Sequence, residues 1–388
     1  MLIFFAITLL QYLAANFAHP ITPTIIQNLK LNDYMFGVAF AGMSFTNFLF
    51  SPFWGKMRDY CSPKKLLLIG CIGYGCGQLL FSVATTELTI LIARCFSGFF
   101  VGSISVSTLV YIIDTSAKEK IGENLARLAI IQSVGAAFGY LIGGVIGVYS
   151  IAVTFLVQSL TLITCGILYF LLLEDNKTEA YEPINLRILL KEANPLKSFL
   201  GSKVFLAKSF MILFLVVLFA SLGTNAFDQC FNYYIKDQFH FTSAYNGLLK
   251  AVIGVITLLA NSTICMWIIR RAHIKRVTSF VLACCAASVM SMLALNNTVI
   301  FIIICIVFFT FNAIYIPLLQ HCVVKDSFNK NSNIVMGFYN AIKSLGMIGG
   351  ALIAGAIYGY GSELPFVFAG VCFAFAAILL GINNIKKI

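Results

Sequence analysis

The chain has 388 residues, of which 60% are hydrophobic and only 11% charged, with a mean hydropathy of +0.93. A soluble globular protein carries about 25% charged residues, and a soluble fold of this length could not hide so much apolar side chain, so part of the solvent must be lipid. The net charge of +11 does not point to nucleic acid, because the basic residues cluster in short connectors between apolar runs.

In chain order the apolar runs cover 2–26, 34–54, 66–85, 88–113, 125–148, 151–173, 204–234, 245–269, 278–295, 299–323, 334–358 and 364–385. Each is long enough to cross the roughly 30 Å hydrocarbon layer as a helix. Lipid offers the backbone no partners, so spans of this kind must be helical. Barrel strands would alternate apolar and polar residues, and these runs do not. The fold class expected is therefore an all-α membrane protein with twelve transmembrane helices. The N-terminus is apolar from Leu2 onward and has no basic leader, so it reads as the first span rather than a removed signal. The twelve cysteines scatter along the spans without a CxxC pair and read as small apolar residues, with no metal or cofactor implied.

The connectors are not equivalent. Of 26 Lys and Arg, 21 fall in or beside the 2–3, 4–5, 6–7, 8–9 and 10–11 connectors and the C-terminal tail. The positive-inside bias puts those connectors and both termini in the cytoplasm, for which a bacterial inner membrane is the expected location. The longest connector, 174–203, divides the chain into halves at 1–173 and 204–388. Its stretch INLRILLKEA reads either as an amphipathic surface helix or as part of a flexible tether.

The halves resemble each other. A shift of 211 residues carries Ser133, Gly135, Gly139, Gly144 and Tyr149 onto Ser344, Gly346, Gly350, Gly355 and Tyr360. The same shift carries Lys64 and Lys65 onto Lys275 and Arg276. Agreement at two distant loci indicates an internal duplication, an arrangement that recurs in secondary transporters.

Between spans 2 and 3 the chain reads Gly55-Lys-Met-Arg-Asp59-Tyr-Cys-Ser-Pro-Lys64-Lys65. Leu91 is followed by Arg94-Cys-Phe-Ser-Gly98, and span 5 contains Gly135-xxx-Gly139-Tyr-xx-Gly143-Gly144. Together with twelve spans and a two-fold repeat, these resemble the major facilitator superfamily, and within it the drug:proton antiporters. Tyr140 stands where that group's fifth-helix motif has proline. The resemblance implies two pseudo-symmetric six-helix bundles and a pocket that opens alternately to either face. It further implies a cytoplasmic latch at Gly55, Asp59 and Lys64, with Asp59 facing helix 11, and packing of Gly135, Gly139, Gly143 and Gly144 against helix 8. Independently, Gly55 reads as a tight end to helix 2.

Charge at the bilayer centre costs at least about 2.5–3.5 kcal/mol, so intramembrane polar residues are site candidates. Asp228 in span 7 is the one carboxylate well inside a span and reads as proton acceptor or counter-charge to a cation. Arg94 and Lys343 are the cations able to modulate it. Asn16, Gln132, Asn225, Gln229 and Asn340, with Gln11, Asn312 and Gln320, are uncharged lining candidates, and His19 reads as an interfacial histidine beside Pro20. Three functions follow. The first is proton-coupled export of small amphipathic compounds, with substrate, protons and the lipid bilayer as partners of a monomer. The second is a facilitator or symporter for a polar or anionic solute. The third is a membrane receptor without transport. No nucleotide loop, metal cluster or nucleophile constellation suggests an enzyme.

Overall fold

The computed structural model describes residues 1–117, 120–174, 208–265, 267–268, 273–293, 297–326 and 332–385. Among them are thirteen α-helices and no strand. The first seven are α1 (Leu2–Ala15), α2 (Thr22–Asn28), α3 (Met35–Met57), α4 (Pro63–Ser82), α5 (Glu87–Thr115), α6 (Ile121–Tyr149) and α7 (Ile151–Leu172). The remaining six are α8 (Lys208–Asp237), α9 (Ser243–Ala260), α10 (Ile274–Leu293), α11 (Thr298–Asp326), α12 (Ser332–Tyr358) and α13 (Leu364–Ile385). A π-helical turn, Asn261–Cys265, prolongs α9.

Eleven of these elements are long and apolar enough to cross a membrane. The expected first span is instead split into α1 and α2 by a turn at 16–21. Pro20 lacks a backbone N–H and disfavours helix at His19, and Pro23 then sits comfortably in the first turn of α2. The carbonyl that α1 leaves open at Ala15 accepts from the Tyr74 hydroxyl at 3.0 Å and from Gln158 Nε2 at 3.4 Å. The connector expected over 174–203 lies, beyond Glu174, outside the described residues, and so does its amphipathic stretch.

Contacts group the chain into two compact units. Unit 1 comprises the described residues within Met1–Leu31, Gly42–Lys197 and His240–Gly254, and unit 2 those within Asn32–Ala41, Ser198–Phe239 and Val255–Ile388. The repeat is visible in the packing. In the first six spans α4 packs on α5 and α7, α1 on α6 and α7, α6 on α7, and α5 on α6. In the last six α10 packs on α11 and α13, α8 on α12 and α13, α12 on α13, and α11 on α12. Each pair is the other's counterpart, span for span.

The core of unit 1 is built round Phe4, Tyr111 and Tyr169, with Phe4 and Tyr111 rings stacked at 4.7 Å. The Tyr169 hydroxyl is buried and donates to Thr8 Oγ1 at 3.0 Å, which removes the cost of a bare hydroxyl in an apolar setting. Unit 2 is centred on aromatic rings. Phe227 meets Phe308 at 3.9 Å and Phe366 at 5.2 Å, and Phe231 meets Phe309 at 5.5 Å. Beside them Thr224 donates to Asn312 Oδ1 at 2.9 Å and shares a 2.5 Å hydrogen bond with the Tyr315 hydroxyl.

Small residues set how closely the helices approach. A Cβ on Gly135 would lie 2.6 Å from Tyr12 Cβ, and one on Gly139 2.4 Å from the Leu13 carbonyl oxygen. A Cβ on Gly143 would lie 2.3 Å from the Phe17 carbonyl oxygen. The i, i+4, i+8 stripe of span 5 therefore packs on α1 and the turn after it, not on helix 8. Of these four glycines only Gly144, about 100° further round the helix, meets the eighth span, α9: its Cβ would lie 2.4 Å from the Ser243 carbonyl oxygen. Across this crossing Gly247 approaches the Tyr140 carbonyl oxygen to 2.4 Å by the same measure.

Unit 2 repeats the device. Gly346 and Gly350 pack on Leu218 and Leu222 of α8, as Gly135 and Gly139 pack on α1. Gly355, the counterpart of Gly144, faces Tyr34 and Gly37, and a Cβ on Gly37 would lie 2.0 Å from the Ala351 carbonyl oxygen.

Candidate functional site

The polar residues singled out in the sequence fall into two groups, one in each unit. In unit 1, Gln132 Nε2 on α6 donates to the Tyr12 hydroxyl at 2.7 Å, and Asn16 Nδ2 donates to the Tyr12 carbonyl at 2.8 Å. Tyr12 thus brings Asn16 and Gln132 together. Asn16 follows directly on the end of α1, where carbonyls lack helical partners, and its amide supplies one. Gln11 is buried on the same helix, and its Oε1 accepts no hydrogen bond.

Arg94 is 3% exposed. Its guanidinium lies 4.2 Å from the Phe81 ring centroid, Nη2 donates to Thr22 Oγ1 at 3.2 Å, and Nη1 reaches Met43 Sδ at 3.7 Å. Arg94 was a candidate, with Lys343, to modulate Asp228. Its neighbours are instead neutral and all belong to unit 1.

In unit 2, Asn225, Asp228 and Gln229 share one face of α8 through their i, i+3 and i+4 spacing. Asn225 is buried, with Oδ1 lacking a hydrogen-bond partner, whereas Asp228 and Gln229 are half-buried. Lys343, one turn from the exposed Asn340 on α12, is half-buried and forms no ion pair among the described residues. Asn312 serves the Thr224 hydroxyl, and Gln320 is exposed. A carboxylate, three amides and an amine on two helices that pack together suit a solute with polar groups or a transferable proton.

The charged turn between spans 2 and 3 behaves differently from expectation. Helix α3 continues through Gly55 to Met57, with open space round Gly55, so this glycine does not end the helix. Asp59 pairs with Lys56 one turn earlier at 2.9 Å, and Arg58 pairs with Asp114 of α5. Lys64 donates to the Leu173 carbonyl at 3.3 Å, placing a cation at the negative end of α7, with Nζ 5.8 Å from the Phe170 ring. These partners all lie within unit 1.

Two functional candidates, Tyr140 and Lys250, escaped the sequence analysis. Tyr140 stacks on His19, with ring centroids 5.4 Å apart and planes 10° from parallel, and Lys250 brings Nζ to 5.8 Å from the Tyr140 ring. Lys250 was visible only as an unassigned cation within span 8, and Tyr140 only as a departure from a motif.

Comparison with known proteins agrees with this architecture. Multidrug resistance protein 2 of Bacillus subtilis (strain 168) is 22% identical over 366 residues, covering 92% of this chain and 88% of that protein. Multidrug resistance protein 1 of the same strain is 22% identical over 374 residues, covering 95% and 92%. Among solved structures, an inward-facing, occupied bacterial homologue of the human lysosomal transporter Spinster superposes with a TM-score of 0.76 at 12% identity. That superposition covers 99% of this chain and 96% of the other. Residues 4–349 match the family described as Major Facilitator Superfamily, and the chain, a multi-pass membrane transporter, belongs to it.

Proposed function

We propose that the chain exports small amphipathic organic compounds across a bacterial plasma membrane by alternating access, in exchange for protons. The observation that carries this reading is the likeness, over more than nine-tenths of the chain, to two multidrug resistance proteins. Asp228 supports the coupling, because it is the one carboxylate far from either end of a described helix, and protonation removes its cost in lipid. The proposal includes two six-helix halves, 1–173 and 204–388, joined by a cytoplasmic 174–203 connector, with both termini cytoplasmic. Asp59 is assigned, with Gly55 and Lys64, to a cytoplasmic latch that takes a second partner in part of the transport cycle.

The test is proton movement in proteoliposomes on addition of ethidium and other amphipathic compounds. Ethidium-dependent proton flux that disappears in Asp228→Asn is expected. No flux with any amphipathic compound would sink the reading. A second reading, a facilitator for a polar solute, draws support from the buried, unpartnered Oδ1 of Asn225. Uptake of one polar solute without any response to ethidium would favour it.

A further inference from the structure

Unit 1 holds a set of cations that the export reading leaves unused. Arg94 is almost wholly buried, its Nε has no acceptor, and it forms no ion pair among the described residues. Its contacts, Phe81, Thr22 and Met43, are neutral. A buried charge without a counter-charge is costly, and an aromatic face offsets only part of that cost. Lys250 is 9% exposed and sits over Tyr140, whose ring is stacked on His19. Arg94 Nη2 donates to Thr22 Oγ1, and the Thr22 N–H donates to the His19 carbonyl at 3.4 Å, so both cations lie beside the turn that carries His19.

The cations belong to different elements. Arg94 lies on α5, and Lys250 on the 240–254 segment of α9. That segment is held to α6 by the Gly144–Gly247 crossing and by Ser243 Oγ, which donates to the Gly144 carbonyl at 2.9 Å. Two like charges brought together by closure of this crossing oppose it. An anion between them would reverse the sign of that interaction. Phe81 and Met43 flank Arg94 and suit a ligand with an apolar body.

We propose that Arg94, Lys250, His19 and Tyr140 form a binding site in unit 1 for the carboxylate of an amphipathic organic acid. The proposal rests on the export reading in one respect: it names the charge of a transported solute. Arg94 and Lys250 supply the counter-charge, and the Tyr140 hydroxyl and the single ring N–H of neutral His19 supply neutral donors. The ligand enters when the 240–254 segment parts from α6 and is enclosed when the crossing re-forms.

The test uses the purified full chain in lipid nanodiscs with three probes: radiolabelled 1-naphthoate, the neutral 1-naphthamide and cationic tetraphenylphosphonium. Saturable naphthoate binding at least tenfold tighter than naphthamide is expected. Lys250→Gln and Arg94→Gln are each expected to weaken it by tenfold or more, and Lys250→Arg to retain it. If Arg94→Gln does not fold, the two Lys250 variants carry the test. Equal binding of acid and amide, unchanged affinity in Lys250→Gln, or preference for tetraphenylphosphonium would overturn the proposal. Ethidium-driven proton flux is read in parallel proteoliposomes. Flux with charge-blind binding removes only the anion site, and naphthoate binding without flux removes only the export reading.

Discussion

The Tyr233 hydroxyl on α8 donates to Asp33 Oδ1 at 2.6 Å, joining residues 200 positions apart within unit 2. Alongside, the Tyr358 hydroxyl donates to Asp237 Oδ2 at 2.8 Å, and Phe36 stacks on Tyr233 at 5.0 Å while meeting Tyr358 edge-on at 5.5 Å. Two tyrosine–aspartate bonds thus fasten the start of α3 to α8 and hold α12 to α8. A hydrogen bond to a charged acceptor is the stronger kind, with a net worth of about 1.5–3 kcal/mol when desolvated. Both aspartates are only partly buried, so about 1 kcal/mol is the appropriate scale here. Tyr233→Phe keeps the ring stacking and removes only the hydroxyl. Amide hydrogen exchange over residues 32–41 should rise roughly fivefold, and an unchanged exchange rate would show that the bond does not hold this segment.

Glycines at the two crossings and Gly55 should respond oppositely to a larger side chain. Gly37→Leu drives a side chain into the Ala351 backbone, which cannot yield without moving α3 off α12. A cost of about 1–3 kcal/mol or more and loss of transport are expected. Gly55→Ala meets open space within a continuous helix and should stabilise by about 0.5–1 kcal/mol. Thermal unfolding in detergent of the two variants measures both signs, and destabilisation by Gly55→Ala would contradict the helical setting of that residue.

Tyr74→Phe removes the 3.0 Å donor from the Ala15 carbonyl and leaves only the longer Gln158 contact. A buried acceptor that loses its partner costs about 1–3 kcal/mol. The loss should appear as a lowered Tm and as faster exchange at the turn between α1 and α2, and no change in either would mean that Gln158 or water suffices there.

On the proposed reading the Asp228 carboxylate carries the coupled proton. Asp228→Glu keeps a carboxylate and should keep transport driven by an imposed pH gradient, whereas Asp228→Asn should lose that drive. Rates measured in vesicles with internal pH varied from 5 to 8 distinguish the outcomes. A pH profile retained by the asparagine variant would move the coupling proton elsewhere.

Spans, repeat and family were legible because hydrophobic length, cation placement and glycine spacing are properties of the chain alone. The partners of those residues were not. Helical spacing shows that Gly135, Gly139 and Gly143 share a face, but not that the face meets α1. Gly144, one residue on, points to a different neighbour, α9. Arg94 was recognisable as a costly intramembrane charge, yet its seat on Phe81 depends on two helices converging. Lys250 and Tyr140 are more than 100 residues apart, and no local pattern joins them. Asp59 pairs with Lys56 one turn earlier, and the loop sequence alone did not say which of its four cations it would take.

The glycine pairs Gly144–Gly247 and Gly37–Gly355 hold corresponding places in the two halves, at shifts of 211 and 210 residues. At each, an added side chain would meet backbone, the Ser243 carbonyl at one and the Ala351 carbonyl at the other. No smaller neighbouring side chain can make room for it. Injury at either crossing should therefore resist local suppressors, and a selection for regained transport should return reversion to glycine or changes that shift a whole helix, with the same outcome in both halves.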